Sequence, residues 1–146
     1  MQRVLALDVG DRRIGLAVSD LLGMTAQGLE TYTRCIDDLA ADVRHILQVA
    51  GQYRPVRLLF GMPRNMDGSY GQQAEKVRAF AAAVAAQWDG EYDFFDERLT
   101  TMSAERVLLE ADVSRRRRKQ VVDKLAAVII LQGYLDSGAA SRPPRL

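Results

Sequence analysis

Cysteine is almost missing from this 146-residue chain: Cys35 is the single one, so no disulfide can form within it. The chain must hold itself together by its core, and at this length a domain buries about two-thirds of its unfolded surface. A reducing, cytoplasmic setting is the expectation. No apolar run approaches the roughly 18 residues that span a bilayer, and the longest, around 125–131, follows a helical period instead. No membrane partner is expected. The N-terminus also lacks a positively charged region followed by a long apolar one, which argues against a secretory leader. Histidine is as scarce as cysteine, and His45, inside a helical pattern, reads as a surface or boundary residue rather than a metal ligand. Net charge is absent too. Lys and Arg number 20 against 19 Asp and Glu, a formal charge of +1, so the total by itself does not point to nucleic acid. With no internal repeat and no linker, one domain is expected over residues 1–137, followed by a flexible C-terminal tail, 138–146, carrying Pro143 and Pro144.

What the chain does have is a pattern at its start. In RVLALDVGDRRIGLAVSD, residues 3–20, two short apolar runs flank Val-Gly-Asp-Arg-Arg, which predicts a β-hairpin with Gly10 in the turn. Period-two alternation puts Asp8 on the same face as Val4 and Ala6, where the strand ends. A carboxylate there is held by rigid backbone yet open to ligands. It suits coordination of Mg²⁺ or Mn²⁺, or a place under nucleotide phosphates, as well as plain turn chemistry.

Along the rest of the chain the period changes several times. A third strand is expected near 28–32. Ile36, Leu39, Val43, Ile46, Leu47 and Ala50 then recur at helical spacing, with Asp37 and Asp38 in the first turn, where the helix dipole favours them. Residues 56–60 form a compact apolar run, as in a strand buried on both faces, and 61–69 read as a loop rich in Gly, Pro, Asn and Asp. A helix over 73–88 carries Trp88 as a core or boundary anchor, and a short strand over 92–95 delivers Asp96 and Glu97 at its end. Thr100 or Thr101 caps a helix over 102–111, residues 112–120 read as a polar cationic loop, and a last helix covers 121–136. On that helix Asp123 lies in line with Ala127, Ile130 and Tyr134. A carboxylate heading a largely apolar face calls for a partner such as a metal or a cation, or a place at the rim.

Three element ends thus present acids: Asp8, Glu97 and Asp123. The expected fold class is α/β, a single domain with a mixed β-sheet flanked by α-helices, and such acids on it resemble the arrangement of ribonuclease H-like nucleases. The blocks LALDVGDRRIGLAVSD, FGMPRNMDGSYG with QAEKVRAF, DERLTTMSAER, and VVDKLAAVIILQGYLD resemble, in order and over most of residues 3–136, the signature blocks of the YqgF family, also called the RuvX family. That resemblance implies a ribonuclease H-like fold and a metal-dependent nuclease on structured nucleic acid. It associates the family with maturation of the 5′ end of pre-16S rRNA in ribosomal precursor particles and with resolvase-like cutting of branched DNA. RNA is favoured over branched DNA as the partner here. It places the family's acidic, catalytic and metal-holding positions on Asp8, Glu97 and Asp123, with Mg²⁺ or Mn²⁺ as the cofactor. Gln120 and Ala126 stand three positions either side of Asp123, so a two-ion site would draw further ligands from substrate phosphate, water or a neighbour such as Asp96.

The remaining blocks then gain a nucleic-acid reading. Arg12 and Arg13 beside Asp8 offer guanidinium forks to phosphate, or form a solvated hairpin tip. Asn65 in the 61–69 loop is a candidate contact to the nucleic-acid backbone or plain turn chemistry, and Arg98 after Glu97 orients substrate or helps cap the helix that follows. The unbroken run Arg115, Arg116, Arg117, Arg118 and Lys119 would neutralise several phosphates and make binding salt-sensitive. Two rivals belong to other classes. An ATPase of the actin and hexokinase type also opens on an Asp-x-Gly hairpin, but needs a second such hairpin and a facing domain, and the chain has neither. A non-catalytic nucleic-acid-binding module would gain nothing from three acids converging on a phosphate polymer unless a cation sat between them. A junction cutter is expected to be a homodimer with two sites about a two-fold axis, whereas a monomer suits trimming of RNA ends.

Overall fold

The computed structural model describes residues 2–63, 69–96 and 115–144, with 115–124 as backbone alone. β1 (Arg3–Val9) and β2 (Arg13–Ser19) form the expected hairpin, antiparallel, with Asp8 opposite Gly15 and Val9 opposite Ile14. Its turn is closed by the Gly10 N–H donating to the Arg13 carbonyl at 2.9 Å. A Cβ at Gly10 would meet that same oxygen at 2.9 Å, so the tight turn requires glycine. β3 (Ala26–Thr33) adds antiparallel to β2 and is longer than the 28–32 expected.

β4 (Val56–Met62) lies parallel to β1 on its other side, and β5 (Tyr92–Asp96) parallel to β4. Every residue of β4 is buried, as a compact apolar run between two strands should be. Gly61 and Met62, expected in the following loop, continue this strand, because parallel pairing to Phe95 and Asp96 keeps their backbone in the ladder. The five-stranded order is β3-β2-β1-β4-β5, which makes the first strand central.

Strand alternation sorts the core into two layers. Leu5, Leu7, Ile14, Leu16, Leu58 and Phe60 face α1 (Leu39–Gly51) and α2 (Gln72–Ala85), meeting Val43 and Ile46 of the first and Val77, Phe80 and Val84 of the second. Val4, Ala6, Ala17 and Leu59 face α3 (Arg115–Asp136), meeting Ala127, Ile130, Leu131 and Tyr134. Trp88 follows the end of α2, buried in the first layer, with its indole N–H donating to the Glu91 carbonyl at 3.0 Å. It anchors the core as expected, although the helix itself stops at Ala85.

Two helix starts differ from the sequence reading. α1 begins after Asp38, whose side chain accepts from the Ala41 N–H at 3.1 Å, and leaves Ile36 outside the helix and 91% exposed. The cationic run expected as a loop is instead the start of α3, since arginine and lysine are good helix formers even without apolar periodicity. The residues read as a tail include a short 3-10 turn, Ala139–Ser141, in which Ala139 is buried and its carbonyl accepts from Arg57 Nη1 at 3.3 Å. The 102–111 helix with its threonine cap lies outside the described residues.

Candidate active site

β1, β4 and β5 run parallel, so their carboxyl ends share one edge of the sheet. Asp8 sits there, half-buried, on the central strand. Because Val4 and Ala6 point to the α3 layer, alternation directs Asp8 to the same face. Its neighbour across β2 is Gly15, and the register of Leu7 with Phe60 carries on to Gly61 of β4. Both lateral positions are therefore free of side chains. A carboxylate flanked in this way keeps room on its own face for an ion or a phosphate oxygen.

α3 runs back toward this edge. Near its end, the Gln132 side-chain carbonyl accepts from the Ala26 N–H and its amide donates to the Met24 carbonyl, both at 3.0 Å, beside the amino end of β3. The Tyr134 hydroxyl accepts from Arg57 Nη1 at 2.9 Å and donates to Asp93 Oδ2 at 2.8 Å, at the amino ends of β4 and β5. Position 123 lies eleven residues earlier, about 16 Å along a helix axis. It also stands one turn before Ala127, which packs on the Asp8 face of the sheet. The backbone thus carries Asp123 and the cationic run toward the edge that holds Asp8. Glu97 lies outside the described residues, as do Asn65 and Arg98, and for Arg115, Arg116, Arg117, Arg118 and Lys119 the backbone alone is described.

Asp96 is not a neighbour of Asp8 on this face. Tyr92 and Phe94 pack in the α1/α2 layer, while Asp93 and Phe95 reach the α3 layer, so Asp96 follows the first pair to the opposite side. The expectation that it could complete the ligand set is corrected by this alternation. Among the described residues, which include neither Glu97 nor the Asp123 side chain, no three His, Cys, Asp or Glu side chains converge. The chemistry of the candidate donors is nonetheless uniform: carboxylate oxygen from Asp8, Glu97 and Asp123, the donor type that hard divalent ions prefer. His45 plays no part in such a set. Its Nε2 lies 2.6 Å from Glu30 Oε1 and its ring stacks on Tyr32 at 4.0 Å between centroids.

The turn that follows Asp8 is held by residues the sequence did not single out. Arg34 donates from Nη1 to the Gly10 carbonyl at 2.9 Å and from its backbone N–H to the Arg12 carbonyl at 2.8 Å. Its Nε donates to Asp42 Oδ2 at 2.9 Å. Asp42 is 1% exposed, and its Oδ1 accepts from the Cys35 N–H at 2.9 Å and the Tyr32 hydroxyl at 3.0 Å. Burial pushes the Asp42 carboxyl upward, but the hydrogen bonds from Cys35, Arg34 and Tyr32 outweigh it and hold the group below its ordinary value. From α2, Gln73 Nε2 donates to the Val9 carbonyl at 3.1 Å, and Lys76 pairs with Asp11 at 3.1 Å. Arg12 is exposed at the tip and Arg13 half-buried at the start of β2. In sequence Asp42 reads as one more acid in the first turn of a helix, which conceals its partner eight residues earlier.

Among solved structures the fold is that of RuvC, a ribonuclease H-like fold. Thermus thermophilus RuvC in complex with a Holliday junction substrate aligns with a TM-score of 0.61, 18% identity, and 99% of each chain covered. The chain belongs to the RuvX family, described as Holliday junction resolvase, whose profile matches residues 2–137. A relative from Moorella thermoacetica is 56% identical over 92% of this chain and 94% of its own, and one from Symbiobacterium thermophilum is 54% identical over 97% and 96%. Both carry the provisional name pre-16S rRNA nuclease.

Proposed function

We propose that the chain is a divalent-metal-dependent nuclease that hydrolyses phosphodiester bonds and processes the 5′ end of pre-16S rRNA. The observation that carries this reading is Asp8: a carboxylate at the carboxyl end of the central strand, flanked by Gly15 and Gly61, with the start of α3 running toward it. Relatives at more than half identity named for pre-16S rRNA support the choice of substrate. Asp8, Glu97 and Asp123 would hold Mg²⁺ or Mn²⁺, which when bound supplies a lowered water pKa and neutralises charge on the phosphate. Arg12 and Arg13, on the turn that follows Asp8, bind phosphates next to the scissile bond, and the cationic start of α3 grips the backbone beyond it. A second reading is favoured by the family description and the RuvC fold: resolvase-like nicking of branched DNA.

One experiment separates these. End-labelled RNA carrying a ribosomal precursor end and a four-way DNA junction are incubated with Mg²⁺, Mn²⁺ or chelator, with wild type and Asp8→Asn in parallel. Metal-dependent RNA cutting that the variant loses by at least about a hundredfold is the expected result. Paired symmetric nicks in the junction instead would move the assignment to the second reading. No cutting of either substrate, or equal cutting by the variant, would leave a non-catalytic binding module.

A further inference from the structure

We infer that Arg34, oriented by Asp42, is a positioning residue that fixes the β1–β2 turn and thereby the Asp8 carboxylate and the Arg12–Arg13 pair. The inference rests on the reading of Asp8 as catalytic. Three observations lead to it. First, Arg34 makes two bonds to the turn, one from its side chain to the Gly10 carbonyl and one from its backbone to the Arg12 carbonyl, so it spans the residues between Asp8 and Arg13. Second, its guanidinium is aimed by two further contacts, Asp42 at Nε and the ring of Phe80 at 5.0 Å from its central carbon. Third, Asp42 is itself held in one place, buried and with Arg34, Tyr32 and Cys35 all donating to its carboxylate.

The direction of the grip matters. Phe80 belongs to the α1/α2 layer, as does the Val43 that follows Asp42, while Asp8 faces α3. Arg34 therefore holds the turn from the α1/α2 side of the sheet, opposite the face that carries Asp8. Buried ion pairs contribute little net stability compared with apolar packing of the same volume, because desolvation offsets the attraction. What this pair provides is geometry: a planar fork with its donors at fixed angles sets the turn's carbonyls in one arrangement. Gln73, donating to the Val9 carbonyl, adds a second support from α2. A displacement of about 1 Å in a reacting group costs up to about a hundredfold in rate, so a loosened turn is enough to impair the reaction.

Arg34→Lys keeps the charge but cannot serve Asp42 and Gly10 at once, and Asp42→Asn keeps the shape but loses the charge. Arg57→Lys is the control. Arg57 makes a half-exposed ion pair with Glu91 and a buried bond to Tyr134 at the other end of the sheet, so its loss weakens the fold without touching the turn. Two readouts are taken for each variant: NMR hydrogen exchange at the Gly10 amide, which donates within the turn, and kcat and KM for RNA cleavage in Mn²⁺. Arg34→Lys is expected to speed Gly10 exchange at least tenfold while core β1 amides stay slow, and to lower kcat by about ten- to a hundredfold, with a smaller rise in KM from the loosened Arg12–Arg13 pair. Asp42→Asn should follow it with a smaller change, and Arg57→Lys should lower Tm with Gly10 exchange and kcat unchanged. Unchanged Gly10 exchange in Arg34→Lys overturns the inference, and so does faster exchange with wild-type kcat, or an equal loss of kcat in Arg57→Lys. If wild type itself cleaves neither RNA nor junction, the nuclease reading fails, and the exchange data alone decide whether Arg34 fixes the turn.

Discussion

Asp8 and Asp42 are both aspartates on regular elements, yet their surroundings give them opposite duties. Asp8 is half-buried at a sheet end, and replacing it with Asn keeps its size and hydrogen-bonding shape. Its stability cost should be of the order of a surface substitution, about 0.5 kcal/mol, or a Tm change within about 2 °C. A large Tm drop in Asp8→Asn, measured by scanning calorimetry, would contradict its placement at an open edge. Asp42 is deep and accepts three hydrogen bonds, so Asp42→Asn leaves Arg34 without its anion and should cost about 3–5 kcal/mol. The pH dependence follows from the sign of its shift. The folded carboxyl titrates below the ordinary 3.8 of the unfolded chain, so its contribution is complete above that value and erodes as pH falls toward the lower folded value. The Tm gap between wild type and Asp42→Asn should thus be widest above about pH 4 and narrow below it; a gap that stays constant from pH 7 to 2 would show that the charge is not what Asp42 contributes.

Elements were legible where a period was unbroken. The first hairpin has two compact apolar runs and, between them, a glycine that its turn geometry requires, and the structure forms it over the expected residues. Boundaries went wrong where side-chain chemistry rather than period decides them: the Asp38 cap starts α1 three residues after Ile36, and an arginine run with no apolar stripe still forms helix. The face of Asp8 was legible because a strand end has a face. Its supports were not, because Arg34, Asp42 and Gln73 meet the turn only through tertiary packing, and no spacing along the chain announces that. The same holds at the far end of α3, where Tyr134, fully buried, joins Arg57 of β4 to Asp93 of β5. Burial, and the bond to Asp93, push its phenol up to about 12 from 10, against the opposing pull of Arg57. A raised folded pKa means that the neutral phenol's contribution is complete below pH 10 and is lost as pH rises from 10 to 12. Tyr134→Phe should be less stable at neutral pH by about 1–3 kcal/mol, since Arg57 and Asp93 lose a buried partner. The difference should shrink between pH 10 and 12 in chemical denaturation; parallel curves through that window would rule out the phenol as the titrating group.

At the scale of the whole molecule the near-zero net charge conceals a directed distribution. Arg12 and Arg13 sit on the turn at the carboxyl end of β1, and the start of α3, with five consecutive cations, runs toward that same edge. At the opposite end Arg57 and Arg54 are matched by Glu91 and Asp89. A polyanion that binds at this edge should reveal their effect as counterion release rather than as a shift in isoelectric behaviour. For single-stranded RNA each neutralised phosphate contributes about 0.7 to the slope of log Kobs against log salt. Replacing all five of Arg115, Arg116, Arg117, Arg118 and Lys119 by Gln keeps good helix formers in place and should make that slope shallower by about 3.5 if each contacts a phosphate. Fluorescence anisotropy of labelled RNA between about 50 and 200 mM salt, with Ca²⁺ in place of the catalytic ion to prevent turnover, measures it. A partial change counts how many of the five reach the backbone. An unchanged slope would mean that the polyanion approaches by another face, and the assignment of α3's cationic start to RNA would fall while the roles of Asp8 and its turn stood.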